Sequence, residues 1–350
     1  MNIHEKYIKR CIELAQNGLG TTYPNPMVGS VVVHNNKIIG EGWHRKAGEP
    51  HAEVNAINSV RNEALLKDAV IYVSLEPCSH YGKTPPCSDL IIAKGIKKVV
   101  IGTMDPFAKV AGRGIKKLLD AGCEVKVGVL EDECLELNKR FFTFHKKQRP
   151  YIILKWAQTT DCFIAPIMQE NIRPVWITNK YSGQMVHKWR SEEDAILVGT
   201  KTVLKDNPSL NIRKWTGKDP TRIIIDRTLK TPVDFSVLDG TQKTIVICDQ
   251  ENPEIDDITY EKIDFSDNIS RQICEVLHKN DLQSVIIEGG SNILQQFIDS
   301  GLWDEARIFT GSSEFQKGVK APKIKGKLVS ETDIEGDRLK IYKNDQSDNI

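Results

Sequence analysis

The sequence lacks the features of an exported or membrane-bound protein. Its first residues, MNIHEKYIKRCIELAQNG, carry charges throughout and space their apolar side chains as a helix does, which predicts neither a signal peptide nor a membrane span. Eight cysteines are scattered along the chain without an export signal, so we expect no disulfide framework and a reducing compartment. These absences predict a cytoplasmic protein that binds no membrane.

An excess of charge of one sign is also missing. Lys and Arg total 48 against 47 Asp and Glu, so no net field draws the chain onto nucleic acid, and an anionic ligand has to be bound locally. The chain has 350 residues, of which 40% are hydrophobic and 27% charged, and this suits two globular domains. The sequence leaves the oligomeric state open, a homo-oligomer included.

Predicted helices and strands alternate over the first 145 residues. A helix from about 3 to 16 precedes two strands, 28–33 and 38–43, which a turn joins into a hairpin. Further strands are predicted near 69–77, 97–102 and 124–130, and further helices from about 52, from 87 to 94, from 114 to 120 and from 131 to 147. This alternation predicts a sheet with helices packed on its faces, and thus an α/β domain of residues 1–145.

A second alternation begins at residue 151, after a predicted linker at 146–150. Apolar runs of strand type lie at 151–157, 195–199, 221–226, 244–248 and 284–288, and a helix is predicted from Ser291 to Asp299. We therefore expect a second α/β domain, residues 151–343. The basic cluster at the junction is interpreted as a solvated face and linker, with a nucleic-acid patch as the alternative; it comprises Lys139, Arg140, Lys146, Lys147 and Arg149.

The strongest chemical signal is HAE at 51–53 followed by PCSHYGKTPPC at 77–87. His51, Cys78 and Cys87 are ligands of the kinds that zinc prefers, and three of them leave a position for water, as in catalytic zinc sites. H-x-E with P-C-x-x-C is the signature of zinc deaminases, in which a glutamate that is not a ligand moves the proton. Here the second cysteine comes nine positions after the first instead of three, so the loop departs from that general pattern.

This motif predicts hydrolytic removal of a ring-bound amino group. Glu53 is expected to take a proton from water and to pass it to a ring nitrogen and then to the departing amine. Two other interpretations stay open: a closed structural zinc site with His44 or His80 as fourth ligand, and no metal at all. A structural site has no need of Glu53, so we interpret His44 and His80 as residues that orient the substrate.

The second half contains no G-x-G-x-x-G after a strand, so a Rossmann domain is not predicted from its residues. It does contain SVIIEGGSNILQQFI at 284–298, which reads as a strand, two glycines and the start of a helix. The glycines let a ligand approach the backbone closely, and the free amides at a helix N-terminus suit a diphosphate. A tight turn between a strand and a helix explains the same pattern.

Four stretches, 24–33, 51–53, 75–87 and 105–115, closely resemble the bifunctional riboflavin-biosynthesis deaminase/reductases, and the resemblance runs from about residue 5 to 310. The long loop between the two cysteines is that family's own form of the zinc motif. The resemblance implies a cytidine-deaminase-like three-layer domain followed by a dihydrofolate-reductase-like domain, with one Zn²⁺ per chain and NADPH. The implied reactions on a pyrimidine ribotide are loss of the 2-amino group and then reduction of the ribosyl chain to ribityl.

The resemblance also implies site residues. In the first half it places Asn25, His44, His80 and Lys83 around the substrate. In the second half the implied cofactor-binding residues are Gln158, Trp176, Thr202, Asp206, Gly290, Ser291, Asn292, Ile293, Leu294, Gln295 and Gln296. The implied ribotide-binding residues are Pro174, Arg190, Leu210, Arg213 and Glu288. Two arginines give bidentate recognition of a phosphate a physical basis, and Lys155 is our candidate for stabilising the opened sugar.

Cys162 departs from the family pattern, which commonly has a glycine after the residue matched by Asp161. Glycine adopts backbone angles that cysteine does not, so the geometry near the nicotinamide is affected. We predict that Cys162→Gly leaves the reductase activity equal or better.

The sequence also admits two rival functions. The first is a zinc nucleoside or tRNA deaminase whose C-terminal half binds RNA; the balanced charge and the lack of an aromatic-and-basic motif argue against it. The second is a regulatory or binding module with a degenerate site. The intact set of His51, Glu53, Cys78 and Cys87 argues against that for the first half, whereas Cys162 keeps it open for the second.

Overall fold

A computed structural model of the chain describes residues 2–81, 85–107, 111–168, 172–251 and 257–345. The chain divides into two units between Lys146 and Lys147. Within the described ranges, no helix has both the length and the apolar character that a membrane crossing needs.

The first unit is built on a five-stranded sheet. Its strands are β1 (Gly29–His34), β2 (Lys37–Trp43), β3 (Val70–Leu75), β4 (Lys98–Thr103) and β5 (Glu124–Val127). They lie in the order β2-β1-β3-β4-β5, with β1 antiparallel to both of its neighbours and β3, β4 and β5 parallel. The predicted hairpin is the β1–β2 pair, and it closes through Asn35 and Asn36, both with positive φ.

In the described residues of this unit, six α-helices accompany the sheet: α1 (Ile3–Ala15), α2 (Ala52–Asn58), α3 (Cys87–Ala93), α4 (Arg113–Asp120), α5 (Glu131–Leu137) and α6 (Lys139–Lys147). Alternate strand residues feed two separate cores. Val31 and Tyr72 pack with α1 and α5, whereas Val32 and Ile71 pack with α2, α3 and α4. The unit therefore has three layers, as the period-2 burial of its strands requires.

The second unit contains a nine-stranded sheet in the order β11-β10-β9-β8-β12-β6-β13-β16-β15. Its strands are β6 (Tyr151–Gln158), β8 (Ala195–Gly199), β9 (Thr221–Ile225), β10 (Thr244–Cys248), β11 (Ile258–Lys262), β12 (Ser284–Ile287), β13 (Glu305–Thr310), β15 (Lys327–Ile334) and β16 (Asp337–Lys343). All are parallel from β11 through β13, and the β15–β16 hairpin is antiparallel. A separate pair is formed by β7 (Phe163–Pro166) and β14 (Gly318–Lys320).

Helices cover both faces of the larger sheet. They are α7 (Lys180–Glu192), α8 (Thr200–Asp206), α9 (Ile269–Lys279) and α10 (Ser291–Asp299). The α9 and α10 helices pack on one face through Leu277 and Phe297, and α7 and α8 pack on the other through Trp189 and Val203. Parallel strands that are covered on both faces have continuous apolar sequences, and for this reason these strands could be predicted from the sequence.

The segment 131–147, predicted to be one helix, forms two helices that meet at Asn138. The Asn138 side chain is buried and pairs with the backbone of Met27, accepting its N–H at 2.8 Å and donating to its carbonyl at 2.8 Å. An asparagine that bonds a distant backbone competes with helix geometry at its own position. The prediction of one continuous helix was therefore wrong at this residue.

The basic cluster near the junction is not a solvated face throughout. Arg140 and Arg149 are buried. Arg149 forms a bidentate ion pair with Asp304, at 2.6 and 2.8 Å, inside the second unit. With two of its five cations buried, the cluster offers no continuous patch for nucleic acid.

Candidate active sites

Three predicted metal ligands come together in the first unit. His51 Nδ1 lies 3.6 Å from Cys78 Sγ and 3.4 Å from Cys87 Sγ. The three ligand atoms all lie within 4.8 Å of one another. Residues that are 27 and 36 positions apart in sequence thus converge on one point.

Two helix starts and one strand end position these ligands. His51 is the N-cap of α2, and Cys87 is the first residue of α3, directly after Pro86. Cys78 follows the end of β3, and its carbonyl accepts both the N–H of Ser88, at 3.2 Å, and the hydroxyl of Ser88, at 3.0 Å. These bonds tie the Cys78 loop to the first turn of α3.

The donor set fits zinc. One imidazole and two sulfurs are the ligands of a catalytic Cys₂His site, and three protein ligands leave a position open. The Cys87 thiol and the Cys87 N–H, 3.3 Å from Cys78 Sγ, lower the pKa of Cys78, which favours the thiolate. No further histidine, cysteine or carboxylate joins the group in the part of the chain that the structure describes.

Glu53 lies in the first turn of α2, two residues after His51, and its side chain is buried. Burial first, and then the nearby Cys78, raises the pKa of Glu53 to about 7. A carboxyl group with this pKa can both accept and return a proton near neutral pH, as general acid–base catalysis requires.

His44 is buried next to His51, and both of its ring nitrogens have partners. Its Nδ1 lies 3.2 Å from the Pro50 carbonyl, and its Nε2 lies 3.0 Å from Asn25 Nδ2. Nδ1 therefore donates to Pro50 and Nε2 accepts from Asn25. Burial lowers the pKa of His44, so the ring stays neutral. With both nitrogens engaged, His44 is not oriented as a fourth metal ligand.

The other two predicted substrate residues of this unit are less defined by contacts. His80 is exposed. Lys83 lies outside the described residues.

Glu76 belongs to this site, although the sequence analysis did not single it out. Its buried carboxylate accepts four backbone N–H groups from the segment 105–115: those of Gly112 and Gly114 at 2.9 Å, Ile115 at 3.2 Å and Asp105 at 3.3 Å. It thereby fixes this segment to the chain two residues before Cys78. The only local signal was its place in LEPC, and the partners lie about 30 residues further on.

In the second unit, the carboxyl end of β12 leads into a glycine turn and α10. Gly289 and Gly290 have φ of 111° and 71°, values that favour glycine. A Cβ on Gly289 would lie 3.2 Å from Thr202 Oγ1, so a predicted cofactor residue borders this turn. Ser291 opens α10, whose first backbone N–H groups have no partners within the helix.

The predicted run from Gly290 to Gln296 is not uniform. Ile293 and Leu294 are buried in the core, so their side chains point away from a ligand. Gln296 donates to Asn292 and Gln295 to Asp299, both at 2.7 Å, along the outer side of α10. Backbone groups at the helix start are therefore the part of this run suited to a diphosphate.

Glu288, directly before the glycine turn, lies between two cations. It accepts from Arg190 Nη2 at 2.8 Å and from Arg190 Nε at 3.3 Å, and Lys155 Nζ lies 3.9 Å away. Burial opposes its ionisation, but Arg190 and then Lys155 overcome this and lower the pKa of Glu288 to about 2. Burial lowers the pKa of Lys155.

Arg190 is consequently less available than the sequence suggested. Its Nη1 donates to the Asn211 carbonyl at 3.2 Å while Nε and Nη2 hold Glu288. The geometry does not support bidentate binding of a phosphate by Arg190, because the guanidinium group already donates two hydrogen bonds to the Glu288 carboxylate. Arg213 is exposed.

The remaining predicted residues differ in their burial and in the contacts that they make. Leu210 is buried and has a positive φ of 55°. Gln158 accepts from Trp156 Nε1 at 2.9 Å, and Asp206 ends α8. Pro174 and Trp176 are exposed, with Lys214 Nζ 5.5 Å from the Trp176 ring centre.

Comparisons with known proteins cover both units. The model of the cytidine and deoxycytidylate deaminase zinc-binding region matches residues 1–103, and that of the RibD C-terminal domain matches 150–313. The riboflavin biosynthesis protein RibD of Aquifex aeolicus is 41% identical over 338 residues, covering 95% of this chain and 90% of the relative. The RibD protein of Escherichia coli K12 is 35% identical over 323 residues, covering 87% of this chain and 86% of its own.

Solved structures agree over nearly the whole length. A diaminohydroxyphosphoribosylaminopyrimidine deaminase/5-amino-6-(5-phosphoribosylamino)uracil reductase from Thermotoga maritima is 39% identical with a TM-score of 0.88, covering 98% of this chain and 99% of that one. RibD of Acinetobacter baumannii is 31% identical with a TM-score of 0.88, covering 97% and 98%.

Proposed function

The chain belongs to the RibD family of bifunctional riboflavin-biosynthesis deaminase/reductases, and from that premise we propose which residues of each unit perform the two reactions. The predicted family, the α/β fold of a cytidine-deaminase-like unit followed by a dihydrofolate-reductase-like unit, and the paired hydrolase and oxidoreductase activities are confirmed. The deaminase zinc-binding region and the reductase domain imply zinc and NADPH.

The first unit, residues 1 to about 145, removes the 2-amino group of 2,5-diamino-6-(5-phosphoribosylamino)pyrimidin-4(3H)-one. His51, Cys78 and Cys87 would hold one Zn²⁺ per chain. Zinc held by three protein ligands supplies Lewis-acid chemistry that makes water a nucleophile near neutral pH. The observation that carries this proposal is the convergence of the three ligand atoms within 4.8 Å next to the buried Glu53.

Glu53 moves the protons of the deamination. Its carboxylate takes a proton from the attacking water and delivers it to a ring nitrogen of the pyrimidine. It then takes the remaining proton of the attacking oxygen, as the new C=O bond forms, and passes it to the departing amine, which leaves as ammonia. Its pKa of about 7 lets one group perform both transfers. His44 Nε2 accepts from Asn25 Nδ2 at 3.0 Å, and we assign the remaining amide oxygen of Asn25 to the ring edge of the substrate. Lys83 is assigned to the phosphate on charge grounds.

The second unit, residues 151 to 343, reduces the ribosyl chain of 5-amino-6-(5-phosphoribosylamino)uracil. NADPH, when bound, supplies the hydride. The glycine turn and the first amides of α10 receive the cofactor's diphosphate, beside Thr202. Gln158, Trp176 and Asp206 complete the proposed cofactor site.

Lys155 acts on the opened sugar. Its ammonium group donates a hydrogen bond to the ring oxygen O4′, which becomes the 4′-hydroxyl when the C1′–O4′ bond opens. The carbon that is then reduced, C1′, keeps its bond to the amino nitrogen. Glu288 counteracts the lowering of the Lys155 pKa by burial, and Arg190 in turn holds Glu288 through two hydrogen bonds. Arg213, Leu210 and Pro174 contact the rest of the ribotide.

We place the protein in the cytoplasm, acting on small pyrimidine ribotides. Neither nucleic acid nor a membrane takes part in this function.

A Glu53→Gln variant tests the proposal for the first unit. Ammonia release from the diamino substrate by zinc-loaded protein should fall by about 10²–10⁴-fold, the usual contribution of a general acid–base group. The zinc content should stay at one ion per chain, and the reductase rate on the deaminated substrate should be unchanged. Unchanged ammonia release, or loss of zinc from the variant, would contradict the role given to Glu53.

A further inference from the structure

One face of α7 is directed at the segment that carries two of the proposed ribotide residues. Gly183, His187 and Arg190 follow one another at helical spacing of four and three, so they share a face. The segment from Leu210 to Lys214 lies against this face, since His187 and Arg190 both bond to its backbone. Gly183 has no side chain, and a Cβ there would lie 3.5 Å from Lys214 Nζ.

His187 makes a specific hydrogen bond to this segment. The backbone N–H of Arg213 donates to His187 Nδ1 at 3.1 Å. The accepting nitrogen cannot carry a proton, so the imidazole is neutral and its proton lies on Nε2. The ring is 4% exposed, so water does not readily replace it as acceptor.

A second bond fixes the segment two residues earlier. Arg190 Nη1 donates to the Asn211 carbonyl at 3.2 Å. Leu210, at the start of this segment, is buried and has a φ of 55°, a backbone conformation that non-glycine residues seldom adopt. Such a conformation persists only where surrounding contacts impose it.

The charges around His187 keep it neutral. Burial first, and then Arg190 and Arg213, lower the pKa of His187 to about 4, with Lys214 acting in the same direction and Glu288 against it. At neutral pH the ring therefore remains an acceptor among three cations and one carboxylate.

We propose that His187 is a positioning residue for the reductase: by accepting the Arg213 N–H it holds Arg213 and Lys214 where their exposed cationic side chains meet the phosphate of the ribotide. The proposal rests on the function proposed for the second unit. It gives the phosphate a different partner from Arg190, whose guanidinium holds Glu288 and Asn211. His187 itself touches neither substrate nor cofactor.

Three variants at this position separate the hydrogen bond from mere packing. Asparagine places an acceptor oxygen near the position of Nδ1, glutamine places its amide near Nε2, and leucine offers no acceptor. Gln184→Leu is the matched control, because Gln184 is exposed on the same helix. The deaminase activity of the same molecule, which belongs to the first unit, normalises the amount of chain in each assay.

We expect His187→Leu and His187→Gln to raise the KM for 5-amino-6-(5-phosphoribosylamino)uracil about tenfold, the effect of leaving one buried N–H without a partner. The KM for NADPH should change less than about twofold, and His187→Asn should recover most of the loss. Gln184→Leu should behave as the unchanged protein. If His187→Leu does not fold, the comparison of His187→Asn with His187→Gln tests the role of the hydrogen bond.

Equal effects of asparagine and glutamine, a parallel rise in both KM values, or unchanged KM values would each overturn the proposal. If the unchanged protein oxidises no NADPH with the deaminated substrate, the proposed function of the second unit has failed instead.

Discussion

Cys162 occupies a left-handed backbone position, with φ of 64°. Its N–H donates to the Thr159 carbonyl at 3.0 Å, and its carbonyl accepts from the Ala321 N–H at 2.9 Å. Both bonds are made by the backbone, so any residue that tolerates this φ can keep them. The exposed side chain adds only a 3.9 Å contact with Gln158 Nε2. The sequence-based suspicion about this residue thus has a structural cause.

Cys162→Gly should increase stability and keep the reductase active. A left-handed conformation costs an L-residue about 1–2 kcal/mol, and glycine gives back roughly 0.4–1 kcal/mol through the entropy of the unfolded chain. We expect a net gain of about 0.5–1 kcal/mol in the free energy of unfolding of the second unit, measured by urea denaturation.

Cys162→Ala is the control, because it removes the thiol and keeps Cβ. It should leave the stability within about 0.5 kcal/mol of the unchanged protein, as surface substitutions usually do. A large loss of reductase rate in Cys162→Gly, or an equal gain in Cys162→Ala, would show that the backbone angle is not what matters.

Residues that belong to a short sequence motif could be predicted. The type and spacing of His51, Glu53, Cys78 and Cys87 match the zinc-deaminase motif, and the structure brings the three ligand atoms together. His187 gave no such signal, because its role depends on an N–H that lies 26 positions away. For the same reason the sequence could not show that the fork of Arg190 is occupied by Glu288.

At the scale of elements, Glu76 connects the end of β3 to the start of α4. The four N–H groups that converge on it come from a segment with its own tight packing: a Cβ on Gly114 would lie within 2.0 Å of the Pro77 carbonyl. An acceptor-only carboxylate suits a site lined by donors, since an amide would point its own NH₂ group at some of them. The negative charge at Glu76 is therefore a structural requirement.

Glu76→Gln should destabilise the first unit by about 1–3 kcal/mol, the cost of leaving buried donors unsatisfied. Urea unfolding followed through deaminase activity or zinc release measures this directly. Glu63→Gln, an exposed carboxylate that pairs with Lys94, is the matched control and should change the stability by less than about 1 kcal/mol. Equal, small effects of the two substitutions would contradict the role of Glu76.

Helices and strands could be predicted where one chain segment contains all the residues that determine the structure. The hairpin of β1 and β2 and the buried parallel strands follow from turn residues and apolar runs. The helix break at Asn138 was missed because its cause is the Met27 backbone, 111 positions away. The strands β15 and β16 were not singled out because β15 is largely exposed and most β16 residues are only partly buried, so neither strand contains a continuous apolar run.

At the scale of the whole molecule, the residues proposed for the two reactions lie in separate units of one chain. The proposed zinc ligands and Glu53 all lie in residues 1–146, and Lys155, Glu288 and the glycine turn all lie in residues 147–350. Each activity can therefore be removed without the other. The activity of one unit serves as an internal control for variants made in the other unit. The order of the reactions follows from the substrate of the second being the product of the first.

The most direct measurement of the central claim is NADPH absorbance after 2,5-diamino-6-(5-phosphoribosylamino)pyrimidin-4(3H)-one is added to zinc-loaded protein. The absorbance should fall after ammonia begins to appear. The Glu53→Gln variant should show no fall with this substrate, but it should show the normal fall when the deaminated substrate is supplied instead. A flat NADPH trace with steady ammonia release would contradict the reductase assignment. An NADPH decrease that Glu53→Gln does not affect would contradict the order of the two reactions.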